Sequence, residues 1–253
     1  MGGPKRSQRQ SVCPTIGVRP WDEMLMSVSK NLRGPARKSL RRIEADGVRR
    51  EPVKPADAEN AAGRLVALHR GMWEGRGISR EHTTREFEEH MRRALPRMVA
   101  RGLGTVYEFR RGEEAIISSF CTYGRDSVGG HLYGATQEAL RRYQVSSLLV
   151  WAELGIARDR GSARLDLLRG DEPYKLRWNP EVVTNQRVIL GREGPAFGLY
   201  AGYRSLRAAA RGYARSEVTP RRLRAILDRL RGARSGATSA RSSENEPSRH
   251  SGE

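Results

Sequence analysis

The residues best suited to chemistry lie near the end of the segment 166–175. Asp171 and Glu172 carry carboxylates there and Tyr174 carries a phenol, while His131 lies earlier, in a run of β-forming residues. Carboxylates, phenols and imidazoles are the side chains that commonly carry protons in enzymes. Each also has an ordinary structural role, because a tyrosine packs, a surface histidine is solvated and a carboxylate caps a helix. Both interpretations stay open at this point.

Other kinds of catalytic site are not indicated. The chain has two cysteines, Cys13 and Cys121, and five histidines. Their spacing matches neither a set of metal ligands nor a Ser/His/Asp or Cys/His nucleophile arrangement. We therefore expect no metal and no covalent enzyme intermediate. Two cysteines without a disulfide framework favour a reducing, cytoplasmic location.

The elements that position these residues change character near residue 104. Before it, apolar spacings predict helices at 57–72 and 83–101, and Pro96 is expected to kink or split the second. After it, turn residues separate three β-rich runs, which predicts antiparallel strands followed by an apolar helix and two more strands. These elements are 105–110, 114–123, 128–135, 145–160, 163–168 and 182–190. The order predicts an α/β fold with a mixed sheet.

Five regions follow from composition along the chain. They are a polar, disordered N-terminal tail (1–20), linker helices interrupted at Gly34-Pro35 (21–56), the main α/β domain (57–195), Arg-rich amphipathic helices (196–232) and a disordered Ser/Arg/Glu-rich tail (233–253). Low hydrophobicity and high charge favour disorder in the two tails.

Charge and hydropathy narrow the class of protein. The formal net charge of +18 invites a nucleic-acid partner. The basic residues are spread along the chain, however, and no recognised nucleic-acid-binding signature accompanies them. The longest apolar run, 145–157, is interrupted by Glu153 and is shorter than the roughly 18 residues that would indicate a membrane span. The N-terminus also lacks the apolar core of a secretory signal.

The segment from Leu165 to Trp178, LDLLRGDEPYKLRW, carries a specific resemblance. It resembles the strand followed by D-F-x-R-G-x-E-x-Y-K of one branch of the GNAT superfamily. That branch contains the acetyltransferase domain of bacterial cellulose-biosynthesis-type acyltransferases and is related to the Fem peptidoglycan transferases. The segment 68–73, LHRGMW, and the segment 102–117 resemble other parts of the same family, so the resemblance covers roughly residues 22–192.

The resemblance implies a GNAT fold, in which a mixed, mostly antiparallel sheet is flanked by helices and two parallel central strands splay apart. Acyl-CoA, with acetyl-CoA as the expected donor, would enter that gap. Its pyrophosphate would lie on N–H groups at the start of the next helix. Here that set is Arg141, Arg142, Val145, Ser146, Ser147 and Leu148. The family commonly has Pro-Gly at this helix start, whereas this chain has Val145-Ser146, whose side chains restrict a close approach of phosphate.

The resemblance also implies roles for the reactive residues. Tyr174 stands where GNAT enzymes often place the tyrosine that protonates the leaving thiolate, and Glu172 or His131 would move a second proton. Strand alternation predicts that His131 shares a face with Tyr133 and lies opposite Val128 and Leu132. Candidates for acceptor binding are Trp73, Arg169 and Lys175, although Arg169 could equally pair with Asp166.

These observations favour an N-acyltransferase that moves an acyl group from acyl-CoA directly to an amine or sugar-linked acceptor. Two alternatives stay open: a Fem-like transferase that uses aminoacyl-tRNA, and a basic, non-catalytic nucleic-acid-binding protein. Family members usually carry two GNAT-like halves, and only one is evident here. Either the chain works as a single-lobe enzyme, or a homodimer or a second GNAT lobe supplies the missing surface.

Overall fold

The computed structural model describes residues 5–74, 80–192 and 194–215. Within them the strands are β1 (Lys5–Gly17), β2 (Arg49–Pro52), β3 (Gly104–Arg111), β4 (Glu114–Tyr123), β5 (Ser127–Ala135), β6 (Arg164–Asp166) and β7 (Glu181–Leu190). The α-helices are α1 (Trp21–Met26), α2 (Lys30–Ala45), α3 (Ala58–Met72), α4 (Arg80–Thr83), α5 (Arg85–Ala100), α6 (Gln137–Arg142), α7 (Val145–Asp159), α8 (Pro173–Leu176) and α9 (Pro195–Arg215).

The strands form one mixed sheet in the order β2-β3-β4-β5-β6-β1-β7. The pairs β2–β3, β3–β4, β4–β5 and β1–β6 are antiparallel, whereas β5 and β6 are parallel. The α/β fold with a mostly antiparallel sheet is therefore confirmed. The predicted strands at 105–110, 114–123 and 128–135 and the helix at 145–160 are present, and the strand predicted at 163–168 is shortened to Arg164–Asp166.

Helices cover both faces of the sheet. Val106 and Tyr107, neighbours on β3, belong to different clusters of buried side chains, as do Phe120 and Cys121 on β4. Because successive strand residues point to opposite faces, the two clusters lie on opposite sides of the sheet. One cluster packs against α1, α2 and α7, and the other against α3 and α5.

The expectation that residues 1–20 are disordered is wrong for the described part of that segment. Residues 5–17 form β1, in which Thr15 and Ile16 are buried and pair with Asp166 and Leu165 of β6. The polar first half of β1 hides this strand in the sequence. Its pairing partner lies about 150 residues away, so no local pattern announces it.

The expected break at Gly34-Pro35 is also wrong, because Pro35 lies inside α2. The break falls instead at residues 27–29, between α1 and α2. Arg33 stabilises that break by donating hydrogen bonds to the carbonyls of Leu25 and Val28 at 2.7 and 3.0 Å. Pro96 likewise does not split α5.

The described residues divide into two compact units, one within 9–187 and one that combines residues 5–8 with the described residues from 188 onward. Within the second unit, the amide of Gln8 donates to the hydroxyl of Ser205 at 2.7 Å. α9 lies in the region 196–232, for which Arg-rich helices were predicted. The rest of that region, after residue 215, and the tail at 233–253 lie outside the described residues. No helix in the described ranges has the length and apolar character that a membrane crossing requires.

Candidate active site

The parallel strands β5 and β6 stay together for three residue pairs and then separate. Their register pairs Val128 with Leu165 and Gly129 with Asp166, after which β5 continues to Ala135 paired with β4 but no longer with β6. The segment after β6 turns away from β5 at Leu168, whose φ is 58°. The carboxylate of Asp166 holds this turn by accepting a hydrogen bond from the Leu168 N–H at 2.7 Å. The predicted splay is therefore present.

A cleft opens where the strands part. It is narrow, with a cavity volume of about 60 Å³. Strands β4 and β5, helix α7 and the chain after β6 line it with Ser119, Gly130, Leu132, Tyr133, Ser146, Leu149, Val150, Glu153, Leu167 and Tyr174. The wall is mostly apolar with a few polar groups, which is typical of a ligand site.

Helix α7 places its first turn at this cleft. Ser146, Leu149, Val150 and Glu153 have helical spacing that puts them on one face, towards the cleft. The first N–H groups of a helix have no acceptor within the helix, and the helix dipole favours an anion there. The N–H groups of Ser147 and Leu148 already bond to the carbonyl of Gln144 at 2.9 and 3.2 Å. Of the four predicted positions, Val145 and Ser146 are therefore the ones suited to phosphate.

Arg142 does not stand free beside this helix. Its guanidinium makes a two-pronged ion pair with the carboxylate of Asp46, to which the hydroxyl of Tyr143 also donates. The bonds from Arg142 and Tyr143 hold the pKa of Asp46 well below its usual range. The predicted phosphate-binding role of Arg142 therefore needs correction, because its charge is already paired. Arg141, at the end of α6, is exposed.

Tyr174 reaches the cleft from α8, with 44% of its surface exposed. Burial of its ring and hydroxyl raises the pKa, and the nearby phenol of Tyr133 and carboxylates of Glu172 and Glu153 act in the same direction. At neutral pH the hydroxyl is therefore protonated and can donate a hydrogen bond or a proton into the cleft.

Glu172 and Lys175 hold the loop that presents Tyr174. Lys175 is buried, and its ammonium bonds the carbonyl of Arg169 at 2.8 Å and the carboxylate of Glu172 at 2.9 Å. Burial raises the pKa of Glu172, but the bond and the charge of Lys175, together with a backbone hydrogen bond, outweigh burial and leave the pKa lowered. The predicted acceptor contact of Lys175 is therefore corrected to a structural role, whereas the side chain of Arg169 is exposed.

The predicted face of His131 is wrong. A bulge shifts the register between Phe120 and Cys121, so that Phe120 pairs with Leu132 and Cys121 with Gly130. His131 is the extra residue, and alternation is interrupted there. Its ring lies 6.0 Å from that of Phe120, edge to face, and it is not among the residues that line the cleft. Trp73, directly after α3, is also outside the cleft lining and is 37% exposed.

Glu153 is the residue that the sequence analysis missed. It is 5% exposed and lines the cleft from the second turn beyond Ser146. The hydroxyl of Tyr107 donates to its Oε1 at 3.2 Å, and the thiol of Cys121 is a second partner. Burial raises the Glu153 pKa to about 7, although both bonds oppose the rise. The available signal was a single charged residue within the apolar run 145–157, since an isolated buried charge is costly.

A metal centre is not formed by this part of the chain. The described residues contain no group of three or more His, Cys, Asp and Glu side chains placed to hold a metal ion. Cys13 and Cys121 are buried free thiols.

The model of the acetyltransferase (GNAT) domain family matches residues 30–176, which is more than half of the chain. The chain therefore belongs to this family. The matched residues run from α2 to the end of α8 and include all ten residues that line the cleft.

Solved structures of three proteins share this fold at low sequence identity. FemX matches with a TM-score of 0.56 and 10% identity over 76% of this chain and 64% of its own. A Bacteroides thetaiotaomicron protein of unknown function matches with a TM-score of 0.52 and 11% identity, over 73% of this chain and 61% of its own. The C-terminal domain of an Agrobacterium fabrum protein described as a lysylphosphatidylglycerol synthetase matches with a TM-score of 0.50 and 14% identity, over 78% of this chain and 65% of its own. The chain thus spans just under two thirds of these chains. No curated protein matches it.

Proposed function

We propose that the chain is an N-acyltransferase that moves an acetyl or other acyl group from acyl-CoA to an amine or sugar-linked acceptor by direct transfer. One observation carries the proposal: the cleft between β5 and β6 opens at the first turn of α7. A molecule suited to it has an anionic group for the helix start and a long, narrow arm for the gap between strands. Acyl-CoA has both, as a pyrophosphate and a pantetheine chain.

Different residues of the cleft would bind the cofactor, exclude water and transfer a proton. The N–H groups of Val145 and Ser146 would bind the pyrophosphate. Leu149, Val150 and Leu167 give the arm an apolar lining that excludes water. Tyr174 would donate its proton to the thiolate as the C–S bond breaks. Family membership supports acyl transfer as the activity, because it is the activity for which the family is named.

A comparison of ligands tests the donor. Melting temperatures would be measured for the full chain with acetyl-CoA, with free CoA and with tRNA. We expect acetyl-CoA and CoA to raise the melting temperature, because a ligand that binds only the folded state stabilises it. Stabilisation by tRNA alone would favour an aminoacyl-tRNA-dependent transferase. No stabilisation by any of the three would end the proposal.

A pair of variants tests the position of the pyrophosphate. Val145→Pro removes one N–H group at the first helical residue, where proline is well tolerated. Val145→Ala truncates the same buried side chain but keeps the N–H group, and is the matched control. We expect Val145→Pro to weaken acetyl-CoA binding several-fold relative to Val145→Ala in calorimetric titrations. Equal affinities would place the anion elsewhere.

A further inference from the structure

A carboxylate lies at the floor of the cleft. Glu153 reaches from α7 to the strands, where Tyr107 donates to Oε1 at 3.2 Å and Cys121 is a further partner. Gly130 of β5 makes room for it, since a Cβ at that position would lie 2.4 Å from Oε1. Three neighbouring strands thus fix the orientation of one acidic group.

No other proton acceptor faces the cleft among its described lining residues. The remaining titratable groups there are the phenols of Tyr133 and Tyr174, and burial raises the pKa of both. Phenols with raised pKa values stay protonated at neutral pH and act as donors. Acyl transfer to an amine also needs a group that removes a proton, because an ammonium nitrogen has no lone pair for attack.

We infer that Glu153 is the catalytic base that removes a proton from the acceptor, that the acceptor is a primary amine which arrives as its ammonium ion, and that Tyr107 and Gly130 are its positioning residues. This inference rests on the proposed acyl transfer. The negative charge at the cleft floor also selects for a cationic acceptor over a neutral hydroxyl group.

The protons balance in two transfers. Glu153 takes one proton from the ammonium, and the freed nitrogen lone pair attacks the thioester carbonyl carbon. When the tetrahedral intermediate collapses, the C–S bond breaks and Tyr174 gives its proton to the thiolate sulfur. The second proton of the nitrogen restores the Tyr174 hydroxyl. The products are an amide and CoA thiol, and Glu153 releases its proton to solvent when they leave.

The acidity of Glu153 suits this task. Burial raises its pKa to about 7, opposed by the bonds from Tyr107 and Cys121. A base is most effective when its pKa lies near the working pH. Removing the Tyr107 hydroxyl would take away a bond that stabilises the carboxylate, and the pKa of Glu153 would rise further.

The test measures binding and turnover separately on the full chain. Acetyl-CoA affinity is measured by calorimetry. Thiol release from acetyl-CoA is followed across pH with spermidine, lysine or glucosamine, and with water alone, whose proton Glu153 would also accept. The variants are Glu153→Gln, Tyr107→Phe and, as a matched control on the exposed first turn of α3, Glu59→Gln.

We expect Glu153→Gln to lose about 10²-fold or more in rate with acetyl-CoA affinity unchanged. Tyr107→Phe should move the acidic limb of the pH–rate profile to higher pH, which a purely structural role would not do. Glu59→Gln should match the wild type. A Glu153→Gln protein with wild-type turnover, a limb that does not move, or a wild-type protein that binds acetyl-CoA but releases no thiol would overturn the inference while acyl-CoA binding stands. Failure of the wild type to bind acetyl-CoA would overturn both the proposed function and the inference about Glu153.

Discussion

Gly130 of β5 faces Glu153 of α7 so closely that a methyl group at position 130 would lie 2.4 Å from the carboxylate oxygen. The strand and the helix that border the cleft are therefore fitted to each other at the one acidic group between them. This contact and three other features of the site lead to separate predictions.

Gly130→Ala should displace the Glu153 carboxylate from its bond with Tyr107. We expect a loss of about 1–3 kcal/mol in the free energy of unfolding, as is usual for overpacking, together with reduced turnover. Chemical denaturation and thiol release would measure the two effects. Gly34→Ala on α2 is the control, because nothing lies within 4 Å of the added Cβ. Equal stability of the two variants would contradict the described contact.

Tyr174→Phe removes one hydroxyl group from the cleft with little change in packing. If that hydroxyl protonates the thiolate, turnover should fall on the order of 10²- to 10⁴-fold. Acetyl-CoA affinity should hardly change, because the hydroxyl acts in the transition state. Tyr200→Phe, at an exposed tyrosine of α9, is the matched control. Unchanged turnover in Tyr174→Phe would remove Tyr174 from the mechanism.

Arg142→Ala and Asp46→Ala should each lower the melting temperature, and the double variant should lower it by less than their sum, because the two side chains pair. Acetyl-CoA affinity should stay near that of the wild type. The pKa of Asp46 is lowered in the folded state, so the pair stabilises the protein above the unfolded pKa of about 4 and less as the pH falls. Melting scans at pH 7 and pH 3 would show the difference. A large loss of cofactor affinity in Arg142→Ala would instead restore the phosphate-binding role.

Glu153→Gln should be more stable than the wild type at pH 8 and similar to it at pH 4. The Glu153 pKa rises from 4.5 to about 7 on folding. The stability that Glu153 contributes to the wild type is therefore fully present below the unfolded pKa of 4.5 and is lost as the pH rises through 7. The loss amounts to roughly 3 kcal/mol. Denaturation curves at the two pH values measure it. A stability difference that did not change with pH would mean that Glu153 titrates normally.

The sequence was sufficient for the elements that local patterns specify. The runs that became β3, β4 and β5 are rich in β-forming residues and end in turn residues, and the motif around Tyr174 located the loop after β6. Features that depend on distant contacts were not predictable. The pairing of β1, the commitment of Arg142 to Asp46 and the bulge at His131 each depend on partners that the local sequence does not name.

Glu153, at the floor of the cleft, is a further example of a feature that depends on distant contacts. Glu153 was visible as a charge in an apolar helix, but its partners Tyr107 and Cys121 come from two other strands. Only the sheet brings these three residues together. A lone carboxylate in an apolar segment of a sequence therefore indicates a free-energy cost of burial. Whether the carboxylate has a function can be judged only from the residues that the fold places around it.

The placement of β1 has a consequence for synthesis of the protein. β1 leaves the ribosome well before its partner β6, which is made about 150 residues later. Until then its buried segment around Ile16 has no strand to join. Contacts between such distant residues form late, because closing a long loop costs entropy before any pairing is gained. The nascent chain therefore carries β1 unpaired until β6 has been made, and an unpaired strand with apolar residues is prone to aggregate.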